Sequence, residues 1–387
     1  MKTEKRQSIF AILSIVFIAL AMRAPVGGVG PLVGQIQADL GLSAFVAGFL
    51  TTIPLIAFSL TAPFAGKLAV KMDTRVLLIG CLVVSIAGLL LRSYAGIVGL
   101  FVGTGFLGFS LGTMNVLLPA LLRSHYAQRL GSIMGLYTTA LTAASAIVSG
   151  ISISLAASVG WDGSLAACVV FPVLSIFLFL LTGKRFAGKL TLQGEVSQGR
   201  CFRGRHVAIA VFMGLQSFLF FSILAWFPSI IELRTDVAGA SGSLLLLLQL
   251  CCLGPTFLIP IIFQKCRRVD LLAFFCTLGF TLGFFLVLFA SSFAVLVIGS
   301  VILGLGVGST LALALALVAA QGRNPAETAK ISGYCQCITY AIAAFGPTGL
   351  GYVRDACGTW DPVLWCMIGL SLVMAVVGLF AGRQKNA

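Results

Sequence analysis

One arginine stands inside an apolar, glycine-rich run: Arg23 in "ALAMRAPVGGVGP", residues 19–31. A guanidinium is always charged and presents a planar fork of donors that matches planar, delocalised anions. At the centre of a bilayer such a cation costs roughly 3 kcal/mol on insertion scales, so one that is kept there reads as a functional group facing a wet cavity. Gly27 and Gly30, on the same helical face, leave room for a solute beside it. No Asp or Glu lies deep in any apolar run. Asp39, Asp162, Glu232, Asp236, Asp355 and Asp361 fall at run ends, and the remaining acids fall in polar segments. That pattern speaks against a proton relay on an embedded carboxylate and against an intramembrane enzyme with paired acids.

Few other polar side chains interrupt the apolar runs: Asn115, Tyr137, Gln216, Gln249, Gln336 and Tyr340, with Trp226 close by. Each could be an interhelical hydrogen bond worth about 1 kcal/mol. They fall on five runs spread over both halves of the chain, and together with Arg23 they are the candidates for one solute cavity. Trp226, two residues before Pro228, has interfacial anchoring as its alternative role. The pairs Gly99–Gly103, Gly108–Gly112, Gly131–Gly135 and Gly304–Gly308 have the four-residue spacing of close helix packing. The "GGVG" stretch lies in an apolar run rather than at a strand-to-helix turn, so a nucleotide loop is excluded. The 11 cysteines lack ligand spacing and the only two histidines, His125 and His206, are in loops. No metal, cofactor or catalytic constellation is expected, and the cysteines read as small packing residues.

The elements that must position these groups follow from composition. Of 387 residues 59% are hydrophobic and 9% charged, against about 25% charged in soluble domains. Twelve apolar runs each suffice to cross a bilayer: 8–32, 43–66, 75–92, 95–121, 131–156, 161–182, 207–231, 239–264, 270–290, 293–320, 330–353 and 361–381. The expected fold is an all-α polytopic membrane protein of twelve transmembrane helices. The first run holds an arginine, lacks a clear small-residue cleavage site and is followed by many others, so it reads as a span and not a signal peptide. With both termini inside, 21 of the 25 basic residues fall on the inner side, Arg92, Arg234 and Arg354 fall outside, and Arg23 is left in the membrane. The net charge of +14 is therefore a topology signal and not a nucleic-acid footprint. Expected surroundings are the lipid bilayer of a bacterial cytoplasmic membrane, with the chain a monomer.

The polar stretch 183–206 divides the chain into bundles at 1–182 and 207–387. The halves echo each other: Pro31, Asp39, Pro63, Lys71 and Asp73 recur 197 positions later as Pro228, Asp236, Pro260, Arg268 and Asp270. Gly108 and Gly112 recur 196 positions later as Gly304 and Gly308. Parallel six-helix repeats of this kind hold their solute near the midplane and rock around it.

These residues carry a resemblance. "MRAPVGGVGPLV" (22–33), "GFLTTIPLIAFSLTAP" (48–63), "NVLLPALL" (115–122), "AWFPSII" (225–231), "GSLLLLLQL" (242–250) and "SGYCQCITYAIAAFGP" (332–347) resemble the cyanate permease family of the major facilitator superfamily. That family includes cyanate and 2-nitroimidazole transporters. The loop "GKLAVKMDTR" (66–75) resembles the superfamily's loop signature, with Val70 where an acid is usual and Asp73 in place of the second glycine. The resemblance implies a major facilitator fold and a secondary transporter of a small, planar, anionic or weakly acidic solute, with Arg23 in the site. Gln216 stands where the shorter amide, Asn, is expected, which alters pocket size. Protons or an exchanged anion are the coupling partners it allows. A multidrug efflux pump of the same fold is the alternative, though a basic Arg23 disfavours cationic drugs. A solute sensor would lack any soluble output domain.

Overall fold

The computed structural model describes residues 2–182, 186, 188, 204–237, 239–321 and 325–383. Most of the 183–206 linker lies outside the described residues. All regular structure among them is helical. The first half holds α1 (Lys2–Gly27), α2 (Val29–Leu40), α3 (Ala44–Lys71), α4 (Thr74–Tyr94), α5 (Gly96–His125), α6 (Leu130–Ala166) and α7 (Val170–Leu181). The second holds α8 (Gly204–Glu232), α9 (Ala240–Cys251), α10 (Leu253–Lys265), α11 (Val269–Leu288), α12 (Phe293–Ala319), α13 (Pro325–Cys357) and α14 (Asp361–Gly382).

These segments make twelve helical rods. α1 and α2 form one rod with an interruption at Gly28, and α9 and α10 another with an interruption at Cys252. The apolar stretch Ser132–Leu181 spans 50 residues. As one helix it would be about 75 Å long, against a hydrocarbon core of about 30 Å. Gly160 resolves this: at φ 77° and ψ 166° it breaks α6 into two rods. Only glycine takes that backbone without strain, and a Cβ there would also run into the Asp162 carboxylate. Ten described stretches, this one included, are apolar and long enough to cross a membrane. The first rod continues to Leu40, eight residues beyond its expected end at 32. Leu32, Val33 and Ile36 are buried and supply the apolar stripe that pays for the extension.

The chain folds as two compact units. Unit 1 is Met1–Gln35 with Ile53–Leu192, and unit 2 is Ile36–Thr52 with Gln193–Ala387. The short segment 36–52 thus belongs with the second half of the chain. The reason is visible in unit 2. Both Asp355 carboxylate oxygens, on α13, accept from the first amides of α3: Ala44 at 3.0 Å and Phe45 at 2.7 Å. Thr52 Oγ1 donates to the Ala344 carbonyl at 2.8 Å and lies 2.7 Å from Thr348 Oγ1. Gly48 lets the helices meet, since a Cβ there would stand 2.7 Å from Thr348 Cα and 2.9 Å from the Pro347 oxygen.

The glycine pairs of the repeat do the same work in each unit. In unit 1, Gly108 packs on Pro54 and Ala57, and Gly112 on Phe58 and Thr61, so α5 lies backbone to backbone against α3. In unit 2, Gly304 packs on Leu248 and Cys251, and Gly308 on Cys252, setting α12 against α9 and α10 in the same way. Gly88 with Gly103, and Gly279 with Gly306, close the α4–α5 and α11–α12 pairs. Gly135 has open space around its Cβ position and carries no such contact.

Candidate functional site

In unit 1 the candidate site is organised by the interruption of the first rod. Pro25 has no N–H, so one carbonyl of the preceding turn loses its helical partner. Beyond it, side chains of neighbouring helices take up two further carbonyls. Arg92 Nη1, from α4, donates to the Pro25 oxygen at 3.0 Å, and Ser149 Oγ, from α6, donates to the Gly27 oxygen at 2.9 Å. Gly28 N still donates to the Ala24 oxygen at 3.1 Å, which keeps the two segments in line. Gly27 is required here. A Cβ on it would stand 2.7 Å from Ser145 Oγ and 2.8 Å from Ser145 Cα, so α6 could not approach.

Arg23 lies one turn before this interruption and is partly exposed, while its neighbours Met22 and Ala24 are buried. Tyr137, on α6, is 4% exposed and its hydroxyl lies 3.9 Å from Met22 Sδ. The structure therefore brings Tyr137 to the rod that carries Arg23. Asn115 is partly exposed on α5, four residues before Pro119.

Unit 2 sorts its candidates into two kinds. Gln336 and Tyr340 are partly exposed and lie one turn apart on α13, with Gln336 Nε2 3.4 Å from Ser332 Oγ. Gln216 and Gln249 are closed off, at 1% and 2% exposure. Gln216 Oε1 accepts from Ser217 Oγ at 3.2 Å, and its Nε2 finds no acceptor among the described residues. Trp226 is wholly buried. Its Nε1 donates to the Pro347 oxygen at 2.7 Å, its ring lies 5.2 Å from that of Trp360, and Gly351 leaves the space its Cζ2 needs. Those contacts make Trp226 a pin that joins α8 to α13.

Sequence reasoning missed one residue. Arg92 reads as an outside loop cation, yet it is 3% exposed and sits under the Pro25 carbonyl. The available signal was that it breaks the positive-inside rule; of the three such exceptions, Arg234 finds Asp361 and Arg354 lies over the Trp360 ring. Asp73, the departure from the loop signature, also has a role. It caps α4 by accepting from Arg75 N at 2.8 Å and Val76 N at 3.3 Å, and it takes Gly188 N at 2.6 Å, while Thr74 N donates back to the Gly188 oxygen at 2.9 Å. Burial, the largest single influence, pushes its carboxyl up, but the amides of Gly188, Val76 and Arg75 with the Arg75 charge together hold it below the ordinary carboxylate range. Among the described residues no cluster of three His, Cys, Asp or Glu could hold a metal.

The sequence model of the Major Facilitator Superfamily matches residues 11–275. The chain belongs to that superfamily. Membership makes it a multi-pass secondary transporter, not an enzyme, that moves a small solute by alternating access. Over 99% of its length it is 32% identical to an uncharacterized transporter, YycB, of Bacillus subtilis (strain 168), covering 96% of that protein. It is 30% identical to a 2-nitroimidazole transporter of Escherichia coli (strain K12), covering 98% of this chain and 97% of that one. It is 26% identical to the cyanate transport protein CynX of the same organism, covering 94% and 95%. Among solved structures, a D-xylose-proton symporter superposes with a TM-score of 0.80 at 13% identity over 97% of this chain and 99% of that chain, which speaks to the fold alone.

Proposed function

We propose that this superfamily member transports a small anionic or weakly acidic solute, of the size and planarity of cyanate or a nitroimidazole, across a bacterial cytoplasmic membrane, and that Arg23 recognises it. The observation that carries the reading is a partly exposed arginine in the first spanning rod, one turn before its interruption. A planar fork there suits a planar, delocalised anion. The relatives named for 2-nitroimidazole and cyanate support the same solute class. Tyr137, whose hydroxyl lies 3.9 Å from Met22 Sδ on the same rod, is a polar side chain placed in unit 1 to add a hydrogen bond. Moving a monoanion inward against an inside-negative potential costs about 2.3 kcal/mol per 100 mV. Uptake therefore requires a co-transported proton or an exchanged anion, whereas export can run on the potential.

The test is solute binding and proteoliposome flux with purified Arg23 variants. Arg23→Ala should remain folded and lose binding and flux together. Arg23→Lys should keep the charge, lose the fork and bind at least tenfold more weakly. Near wild-type affinity in Arg23→Ala would show that the arginine is structural and refute the assignment.

A further inference from the structure

Among the described residues of unit 1, Arg92 is the one buried cation. It is 3% exposed. Nη1 is committed to the Pro25 carbonyl, and both Nε and Nη2 lack any acceptor among the described residues. The two orphans are not scattered. They are the neighbouring donors along one edge of the guanidinium plane, the edge that takes a carboxylate or similar anion through two parallel bonds. Among the described residues nearby there is no carboxylate, and the titratable group that interacts with the guanidinium is the Cys168 thiol. Leu89, one turn earlier on α4, belongs to a buried cluster with Ala24, Leu107, Val148 and Cys168, and none of these can carry a carboxylate. Behind it, Gly103 brings the α5 backbone against the backbone of Arg92 itself, where a Cβ would collide with Arg92 N.

A buried, unpaired cation is the costliest arrangement of charge a fold can keep, and neutral carbonyl contacts offset only part of it. A single hydrogen bond to Pro25 does not require a guanidinium, since a neutral amide could donate it. What requires one is the second edge. We propose that Arg92 is an anion-binding residue of unit 1: with Nη1 fixed on the Pro25 carbonyl, its Nε–Nη2 edge takes a small planar oxyanion of the carboxylate or nitrate class. This site is separate from Arg23 and does not depend on Arg23 recognising the solute. Because Pro25 lies two residues after Arg23, an anion on Arg92 also steadies the rod that carries Arg23.

The experiment is thermal unfolding of the purified full chain at constant ionic strength, with sodium formate, nitrate or chloride replacing gluconate, whose bulk excludes it from a closed site. Wild type should gain several degrees, saturably, with formate and nitrate. Arg92→Gln keeps a donor for Pro25 and removes the charge. It should be more stable than wild type in gluconate and should not respond to formate. Arg92→Lys should respond but lose the preference for formate over chloride. Arg23→Ala should keep the formate response. An unresponsive wild type, or an Arg92→Gln variant that responds like wild type, would overturn the site. So would a response abolished by Arg23→Ala and kept by Arg92→Gln. If Arg92→Gln fails to fold, Arg92→Lys decides: an undiminished preference for formate over chloride overturns the site, and its loss upholds it.

Discussion

Asp355→Ala should release the start of α3 from α13, and the size of the effect can be worked out. The first turn of a helix has unpaired amides that something must satisfy. Here Asp355 takes Ala44 and Phe45, while Ser43 Oγ takes Val46 at 3.3 Å. Losing a side-chain cap costs about 1 kcal/mol, and losing a negative charge at a helix N-terminus costs roughly a further 0.3–1 kcal/mol. A total of about 1–2 kcal/mol corresponds to a roughly 5–30-fold change in an opening equilibrium. The Gly48 seat and the Thr52–Thr348 contact lie one and two turns further along α3 and are untouched, so the loosening should be local. Hydrogen–deuterium exchange of the protein in lipid nanodiscs reads it directly. Amides 44–46 should exchange about 5–30 times faster in Asp355→Ala, with the remainder of α13 unchanged. Asp355→Asn, which keeps one acceptor and loses the charge, should fall between. Unchanged exchange at Ala44 and Phe45 would refute the capping argument, and a uniform rise along α13 would show that the substitution had unfolded its own helix instead.

Two further outcomes are expected. Reporter fusions after Lys189 and after Lys385 should both read as cytoplasmic, because 21 of 25 basic residues then lie on the inner side; a periplasmic signal at either would invert the topology. Asp73 has a carboxyl pKa below its unfolded value, so its contribution is complete above about pH 4 and is lost as pH falls through the lower folded value. The melting-temperature gap between wild type and Asp73→Asn should accordingly be flat from pH 8 to pH 5 and close in acid; a gap that changes between pH 6 and pH 8 would show that another group is responsible.

Rod boundaries were legible because hydropathy is a property of the chain read along its length. The expected run 293–320 is α12 at Phe293–Ala319, and the expected division near 156–161 is the break at Gly160. What was not legible depends on partners far away in sequence. Nothing local to Trp226 distinguishes an interfacial anchor from a buried pin; the distinction is made by Pro347 and Gly351. Arg92 looked like a loop residue because it ends its run, and only the neighbouring rod with its freed carbonyl turns it inward. The place of Arg23 within the first rod was legible because charge inside an apolar run is conspicuous without any structure.

The docking of segment 36–52 on α13 has a consequence for how the protein is made. Thr52 and Thr348 lie 296 residues apart in the chain. At about 5–20 residues per second of synthesis, the start of α3 emerges roughly 15–60 s before its seat on α13 exists. Throughout that interval the nascent chain holds a glycine-notched helix face at Gly48 with nothing to fill it and a first turn without the Asp355 part of its cap. Insertion of this transporter therefore ends with the closing of a bond between an early and a late part of the chain, and ribosome-bound intermediates halted before residue 348 should be the forms most dependent on a membrane chaperone.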